Sequence, residues 1–394
     1  MSHIKKFRLF LFPVSWIYGA IIWFRNTLFD VEILPSVSFD MPVISIGNIT
    51  VGGTGKTPHT EYLIRLLSQK NQIAVLSRGY KRKTKGFLLA GTQSKVSEIG
   101  DEPLQMKRKF PDLVVAVDKN RRNGIQELMN KTTEPFIDVI LMDDAFQHRY
   151  VNPSISILLV DYNRMLYDDS LLPAGNLREP TGQIKRAEII IISKCPNTLK
   201  PIDIRILSKK THLFPYQSLY YTTMQYGRIK ALSPLAKAGK TPISQEETYL
   251  EEGENIKAIS ELSMDQIKNQ KRPVLILAGI ASPQSFIDYI KNYCPDAQSI
   301  LFPDHHVFNK KDANKIGSSF EKIKSSGGLI ITTEKDTMRI LNNPFMEAFI
   351  HHIYYIELQV HFLEEKGASF DKKILDYVRI NKRNERMVTK KNNK

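Results

Sequence analysis

The 394-residue chain has only two cysteines, Cys195 and Cys294, far apart and outside any CxxC pair. That scarcity excludes a disulfide framework and a cysteine-rich zinc site, and it fits a reducing compartment. Glycine and proline, 20 each, stand at ordinary levels, and no internal repeat is present. Collagen-like and low-complexity classes are therefore excluded. Acidic residues are in deficit, 41 against 56 basic, for a formal net charge of +15. With 42% apolar and 25% charged residues the composition is that of a globular chain, not a disordered one. At about 150 residues per domain the length suggests two domains, with ample chain for a core.

The excess charge sits at the two ends of the sequence. Residues 1–100 hold 13 basic and 5 acidic side chains, and residues 371–394 hold 9 and 3. The chain between them is nearly neutral. A positive field of this kind calls for anionic partners: nucleic acid, an anionic membrane or a phosphorylated substrate.

Leu9 to Phe24 carries no charge, follows Lys5, Lys6 and Arg8, and precedes Arg25. Its 16 residues as a helix reach roughly 24 Å, short of the roughly 30 Å hydrocarbon core, and Pro13 and Gly19 weaken the helix further. No small-residue cleavage pattern follows, which argues against a signal peptide. Trp16, Tyr18 and Trp23 suit a membrane interface. The expectation is a monotopic helix lying in one leaflet, with its cations on lipid phosphates; the bland alternative is a buried core helix.

Beyond it, short apolar runs alternate with helical patterns. Strands are expected at 42–46, 73–76, 113–117, 138–142, 155–160 and 188–192, with a helix over 58–67. Near-continuous apolar runs fit buried parallel strands covered by helices, so the fold class is α/β, a doubly wound sheet, which the glycine-rich loop at 52–57 makes P-loop NTPase-like. Residues 219–232 resemble a β-ribbon around Gly227, and 236–256 read as a polar loop or insertion. The βα rhythm resumes at 274–278, 299–302, 329–332 and 354–360, suggesting a second, smaller α/β domain. The expected organisation is an N-terminal membrane-associated helix (1–30), a P-loop domain (31–217), a ribbon linker with the insertion (218–269), the smaller domain (270–380) and a basic disordered tail (381–394).

Gly52-Gly53-Thr54-Gly55-Lys56-Thr57 follows a strand and opens a helix, the context a phosphate loop requires. Backbone N–H groups there close around phosphate oxygens, and the helix dipole favours the anion. Thr50, Val51, Gly52, Gly53, Thr54, Gly55, Lys56 and Thr57 are the candidate nucleotide-binding residues. Lys56 would contact the β/γ-phosphates and Thr57 would ligate Mg²⁺. Thr50 stands where the strict motif has glycine. A strand-end carboxylate should complete the site, and Asp143-Asp144 supplies two. Adjacent strand residues face opposite ways, so one of the two is expected to serve the metal.

Three further clusters carry polar chemistry: Gly100-Asp101-Glu102-Pro103, Phe302-Pro303-Asp304-His305-His306, and the 172–179 loop with Arg178. A carboxylate and an imidazole brought together could deprotonate a hydroxyl, and an arginine could stabilise phosphoryl charge. Ser77 to Lys83 is a basic loop at a strand end, suited to a second anionic group.

These blocks, in this order, resemble the tetraacyldisaccharide 4′-kinase family of lipid A biosynthesis. The resemblance runs through Gly47 to Pro58, Leu76 to Tyr80, Gly100 to Pro103, Asp143 to Arg149, Leu172 to Pro180, Phe302 to His306 and Thr333 to Asp336. The family's own phosphate loop lacks the first glycine. Ala145 replaces its usual glycine, Ser193-Lys194 its frequent Thr-Lys, and the insertion and tail inherit nothing. The resemblance implies ATP- and Mg²⁺-dependent phosphorylation of the 4′-hydroxyl of a lipid-linked glucosamine disaccharide 1-phosphate, at the cytoplasmic face of a Gram-negative inner membrane. It implies Asp101 as the base, tuned by His305. Glu102 and Asp143 or Asp144 would hold the metal or its waters, and Arg178 with Glu179 would face nucleotide and acceptor. With His305 and Lys56 in different domains, closure would assemble the site. A nucleic-acid-stimulated ATPase and a nucleotide-gated membrane adaptor are the rival readings; no nucleic-acid partner is expected.

Overall fold

The apolar runs become the strands of one mixed sheet: β1 (Val43–Gly47), β2 (Ile73–Ser77), β3 (Leu88–Leu89), β4 (Val114–Val117), β5 (Val139–Asp143), β6 (Ile155–Asp161), β7 (Ile189–Ser193), β8 (Ser218–Ala231), β9 (Glu261–Leu262), β10 (Val274–Ala278), β11 (Gln298–Leu301), β12 (Leu329–Thr333) and β13 (Ile353–Phe362). The helices are α1 (Phe12–Asp30), α2 (Lys56–Ser68), α3 (Val96–Ile99), α4 (Asp101–Lys109), α5 (Arg121–Met129), α6 (Pro201–Thr211), α7 (Met264–Asn269), α8 (Gln284–Tyr293), α9 (Lys310–Lys324), α10 (Glu334–Ile340) and α11 (Gly367–Asn392). The computed structural model describes residues 10–130, 136–232, 261–341 and 343–392, with side chains to 381. The 236–256 insertion and Lys5, Lys6 and Arg8 lie outside the described residues.

The strand order is β11-β10-β12-β13-β8-β7-β6-β1-β5-β2-β4-β3, with β9 on β8. Most pairs are parallel; β8–β13, β8–β9 and β3–β4 are antiparallel. Every residue of β1, β2, β5, β7 and β10 is buried, as expected for parallel strands covered on both faces. Residues 219–232, expected as a ribbon around Gly227, form one long strand instead. Its first residues run parallel to β7, and from Thr222 to Ala231 it pairs antiparallel with β13. The ribbon partner is thus supplied by β13, far along the sequence, and β8 carries the sheet unbroken between the halves. The segment expected to be a disordered tail continues α11 to Asn392.

α1 turns the usual rule of burial around. Its buried residues are Ser15, Asn26 and Phe29, while Trp16 and Trp23 are 75% and 64% exposed and Ile17, Ile21 and Phe24 are exposed beside them. The helix docks through polar bonds. Ser15 Oγ donates to Leu171 O at 3.1 Å and accepts from Ala174 N at 2.9 Å. Tyr18 Oη donates to Arg178 O at 2.8 Å, and Arg149 meets Asp30 at 2.6 Å. The buried-core alternative is therefore not what forms. Among the described residues no helix is long and apolar enough to cross a membrane.

Candidate active site

The phosphate loop joins β1 to α2 and is stitched from inside by Asn48, which is fully buried. Asn48 Nδ2 donates to Thr54 Oγ1 at 3.0 Å, and its Oδ1 accepts from Lys56 Nζ at 3.4 Å. Gln147 Nε2 donates to Asn48 O at 2.6 Å, and Ser193 Oγ donates to Thr54 O at 2.8 Å. Thr50 and Thr54 are buried inside the loop, so their hydroxyls shape it rather than face a ligand. Thr50 forms a bridge with Leu177, and Val51 N donates to Asn176 O at 2.8 Å, fixing the 172–179 loop against it. Gly55, at φ +82°, turns the chain into α2 where a Cβ would also run into Met224. The first turn of α2, with half-buried Thr57, leaves N–H groups without intrahelical partners, pointing out of the helix start.

Lys56 Nζ lies 3.3 Å from Asp144 Oδ1, and Arg178 Nη1 lies 3.7 Å from Asp144 Oδ2. Burial raises the Asp144 carboxyl, but Lys56 and Arg178 outweigh it and hold it below its ordinary range. Asp143 behaves oppositely. It is buried and faces Thr60 and Ser77, with Thr60 Oγ1 donating at 3.3 Å. Burial, then the neighbouring Asp144 charge, pushes it up to about 6. The pair splits at the end of β5: Asp143 is its last residue, whereas Asp144 lies beyond it at φ +48° and meets the lysine of the loop. Among the described residues no group of three or more His, Cys, Asp or Glu could hold a metal ion by itself. This donor set still suits Mg²⁺, which takes one or two carboxylates and completes its shell with phosphate oxygens and water. Asp144, whose Oδ1 has the Lys56 ammonium beside it, and the Thr57 hydroxyl are the ligands on offer.

A second cluster is assembled from both halves of the chain. Asp101 opens α4 and is almost completely buried. Its Oδ2 lies 2.6 Å from His305 Nδ1, which stands between β11 and α9. The same oxygen accepts from Arg339 of α10, at 2.6 Å from Nη2 and 3.1 Å from Nε. Burial would raise this carboxyl; the hydrogen bonds from His305 and Arg339 outweigh it and bring it down to about 2. Asp101 Oδ1 has no partner among the described residues. Lys335 Nζ is 3.3 Å from His305 Nε2, 3.3 Å from Asp304 Oδ1 and 3.2 Å from Glu102 Oε1. Tyr80 packs edge-on to the His305 ring at 5.7 Å.

Two expected residues stand elsewhere than anticipated. Glu102 pairs with Lys335, although its charge still reaches Asp143. Glu179 is buried in an ion pair with Arg186 beneath the loop, not beside the phosphate-loop lysine. The neighbouring Arg178 and Glu179 side chains part company because Asp144 attracts one and Arg186 the other. Sequence reasoning missed Arg339, Lys335 as a partner of His305, and Asn48. Lys335 and Arg339 do carry a signal: they are four apart on the helix that opens at Thr333-Glu334.

An α/β sheet that drives its central strand through a glycine-rich loop into a helix, with a strand-end carboxylate on the loop lysine, defines a P-loop phosphotransferase. A model of the tetraacyldisaccharide-1-P 4′-kinase family matches residues 7–379, and the chain belongs to that family. It is 48% identical to a tetraacyldisaccharide 4′-kinase of Phocaeicola vulgatus over 384 residues, 97% of this chain and 98% of the relative. It is 44% identical to the enzyme of that name from Bacteroides thetaiotaomicron, over 99% of this chain and 98% of the relative. A crystal structure of LpxK from Aquifex aeolicus in complex with ATP superposes with a TM-score of 0.68 at 26% identity, covering 94% of this chain and 99% of that one.

Proposed function

We propose that this chain transfers the γ-phosphoryl group of ATP to the 4′-hydroxyl of a lipid-linked glucosamine disaccharide 1-phosphate, releasing ADP. The observation that carries the residue roles is Asp101: a buried, ionised carboxylate with one oxygen held by His305 and Arg339 and the other without a partner. Phosphoryl transfer needs positioning and charge neutralisation more than covalent chemistry. Lys56, the N–H groups at the start of α2 and Arg178 neutralise the transferring phosphoryl oxygens. Asp101 Oδ1 orients the acceptor hydroxyl and takes its proton as the O–P bond forms. A carboxylate of low basicity suffices, because in a loose transition state the attacking oxygen carries little extra charge. His305 and Arg339 keep Asp101 ionised and aimed. When bound, Mg²⁺ would neutralise charge on the β- and γ-phosphate oxygens, with Thr57 and Asp144 as its protein ligands.

Lys56 and Asp101 lie in one half and His305 and Arg339 in the other, so closure around β8 and β13 would seat the second half on Asp101 and shut water out of the site. The exposed apolar side of α1 supports a monotopic seat on an anionic leaflet, at the cytoplasmic face of an inner membrane, with Arg78 and Lys81 to Lys85 near lipid or substrate phosphate. The helix that meets the lipid would also hold the 171–178 loop, through Ser15 and Tyr18. Purified protein with ATP, Mg²⁺ and the disaccharide acceptor, read by mass, should gain one phosphate on the acceptor. Absence of that product in the presence of bound ATP would overturn the reading.

A further inference from the structure

A buried charge cluster that neither chemistry uses joins α2, α4, α10 and β13. Lys109 ends α4, the helix that Asp101 begins. Its Nζ lies 2.8 Å from Glu61 Oε2, 2.7 Å from Glu334 Oε1 and 3.6 Å from Glu357 Oε1. Each partner belongs to a different element. Glu61 lies on α2, five residues beyond Lys56, and is 1% exposed. Glu334 opens α10, which carries Lys335 to His305 and Arg339 to Asp101. Glu357 lies on β13, where Lys230 of β8 reaches it at 3.0 Å. Gln105 donates to Glu61 at 2.9 Å, and Arg65 approaches it at 3.6 Å. α4 is therefore tied to α10 at both its ends: Asp101 and Glu102 meet Arg339 and Lys335 at the start, and Arg108 and Lys109 meet Met338 and Glu334 at the end.

We infer that Lys109 is a positioning residue for phosphoryl transfer, one ammonium that locks the donor helix α2, the base helix α4 and the second-half helix α10 into a single register. The inference rests on the proposed kinase reading, and on Asp101 as its base. An ammonium has three donors, and here two go to carboxylates of separate helices at close range. Burial lowers the Lys109 ammonium, yet Glu61 and Glu334 outweigh burial and raise it, so it stays charged. Burial, followed by Glu61, pushes Glu334 up to about 7 against the pull of Lys109. Without the lysine, Glu334 would rise further and take up a proton, and the ammonium bonds that tie α4 to Glu61 of α2 and to Glu334 of α10 would be lost, freeing helices that must stay aligned. Lys56 would keep its loop, which Asn48, Gln147 and Ser193 hold independently. The loss should therefore fall on the chemical step and not on nucleotide binding.

The experiment compares wild type with Lys109→Met, Lys109→Arg and Glu334→Gln in the full chain, using ATP, Mg²⁺ and the disaccharide lipid acceptor. Readouts are kcat, KM for ATP, binding of ATP and thermal unfolding. Lys109→Met should lower kcat about 10- to 100-fold, the scale of an ångström of misplacement, with ATP affinity within about 3-fold of wild type. Lys109→Arg should recover most of that loss, which mere packing repair would not distinguish by charge. Near wild-type kcat in Lys109→Met, or a parallel fall of ATP affinity and kcat, would overturn the inference. Should Lys109→Met not fold, Glu334→Gln decides, since it leaves Lys109 on Glu61 and Glu357: a several-fold fall in kcat at unchanged ATP affinity supports the lock, and an unchanged kcat removes it. A wild-type protein that binds ATP but phosphorylates no acceptor would instead defeat the kinase reading itself.

Discussion

The Lys56 end and the Asp101 end of this site are built by opposite means. Around Lys56 the partners come from one half of the sheet, and the charged groups stay partly open: Lys56 and Asp144 side chains are 18% and 35% exposed. Around Asp101 the partners come from both halves and are sealed in, with Asp101 and Arg339 side chains each 5% exposed. An open, cationic mouth can exchange nucleotide and neutralise moving charge. A sealed carboxylate keeps one protonation state and one direction. The contrast implies that ligands complete the Lys56 end, whereas protein contacts set the Asp101 end.

The largest separation of the two ends should come from Asp101→Asn. It keeps the shape and one acceptor oxygen but removes the base, so kcat should fall about 10²- to 10⁴-fold while ATP binding holds. Steady-state rates beside nucleotide binding check this; a fall under tenfold would move the base to another group. Next, Lys56→Ala should cost about 10²- to 10³-fold in kcat, with weaker ATP binding, because it removes a donor aimed at developing phosphoryl charge. The same two assays distinguish it from the Asp101 variant, whose ATP affinity should be intact.

Arg339→Lys should be milder, about 10- to 100-fold in kcat, since charge is kept but the two-point contact with Asp101 Oδ2 is lost. It should also move the acid limb of the pH–rate profile. Asp101 sits at about 2 because hydrogen bonds to His305 and Arg339 overcome burial. Weakening one of them raises that value, so activity should fail at a higher pH than in wild type. A profile that keeps its acid limb would show that His305 alone sets the carboxylate.

The smallest expected effect is on stability. Burial holds His59 neutral down to about 4, with its hydrogen bond to Gly55 O opposing. His148 is likewise brought down to about 4, by burial and then by Arg121. Both lie near 6.5 when unfolded, so the unfolded chain takes up the protons first. Stability should therefore fall as pH drops from about 6.5 toward 4. Thermal unfolding scanned over that window should show it, and His59→Gln should flatten the slope.

Much of this was legible in advance because the signals are local. Apolar runs separated by polar turns marked the strands, and β1, β2, β5, β7 and β10 begin within a residue of their expected positions. Gly55 and Lys56 announced the loop because phosphate binding needs backbone N–H groups at a helix start. Residues 219–232 misled because an isolated strand with a central glycine looks like a hairpin, when its partner was β13. The tail misled because its charge hides a helix continuing from α11. The resemblance implied that Glu179 faces the ligands with Arg178; it pairs with Arg186 instead, because adjacency in sequence says nothing about which charge each side chain will find.

By itself the sequence determined the α/β layering and the phosphate loop, since these depend on residue type, period and turn chemistry along the chain; the relation of Asp101 to His305 came from the resemblance of the ordered blocks to the kinase family. Only the tertiary structure decided which of Asp143 and Asp144 faces Lys56, that Arg339 holds Asp101, that Lys109 joins three elements, and that α1 turns its tryptophans outward. Each of these is a choice among partners brought together across hundreds of residues, and burial and charge make that choice only once the chain has folded.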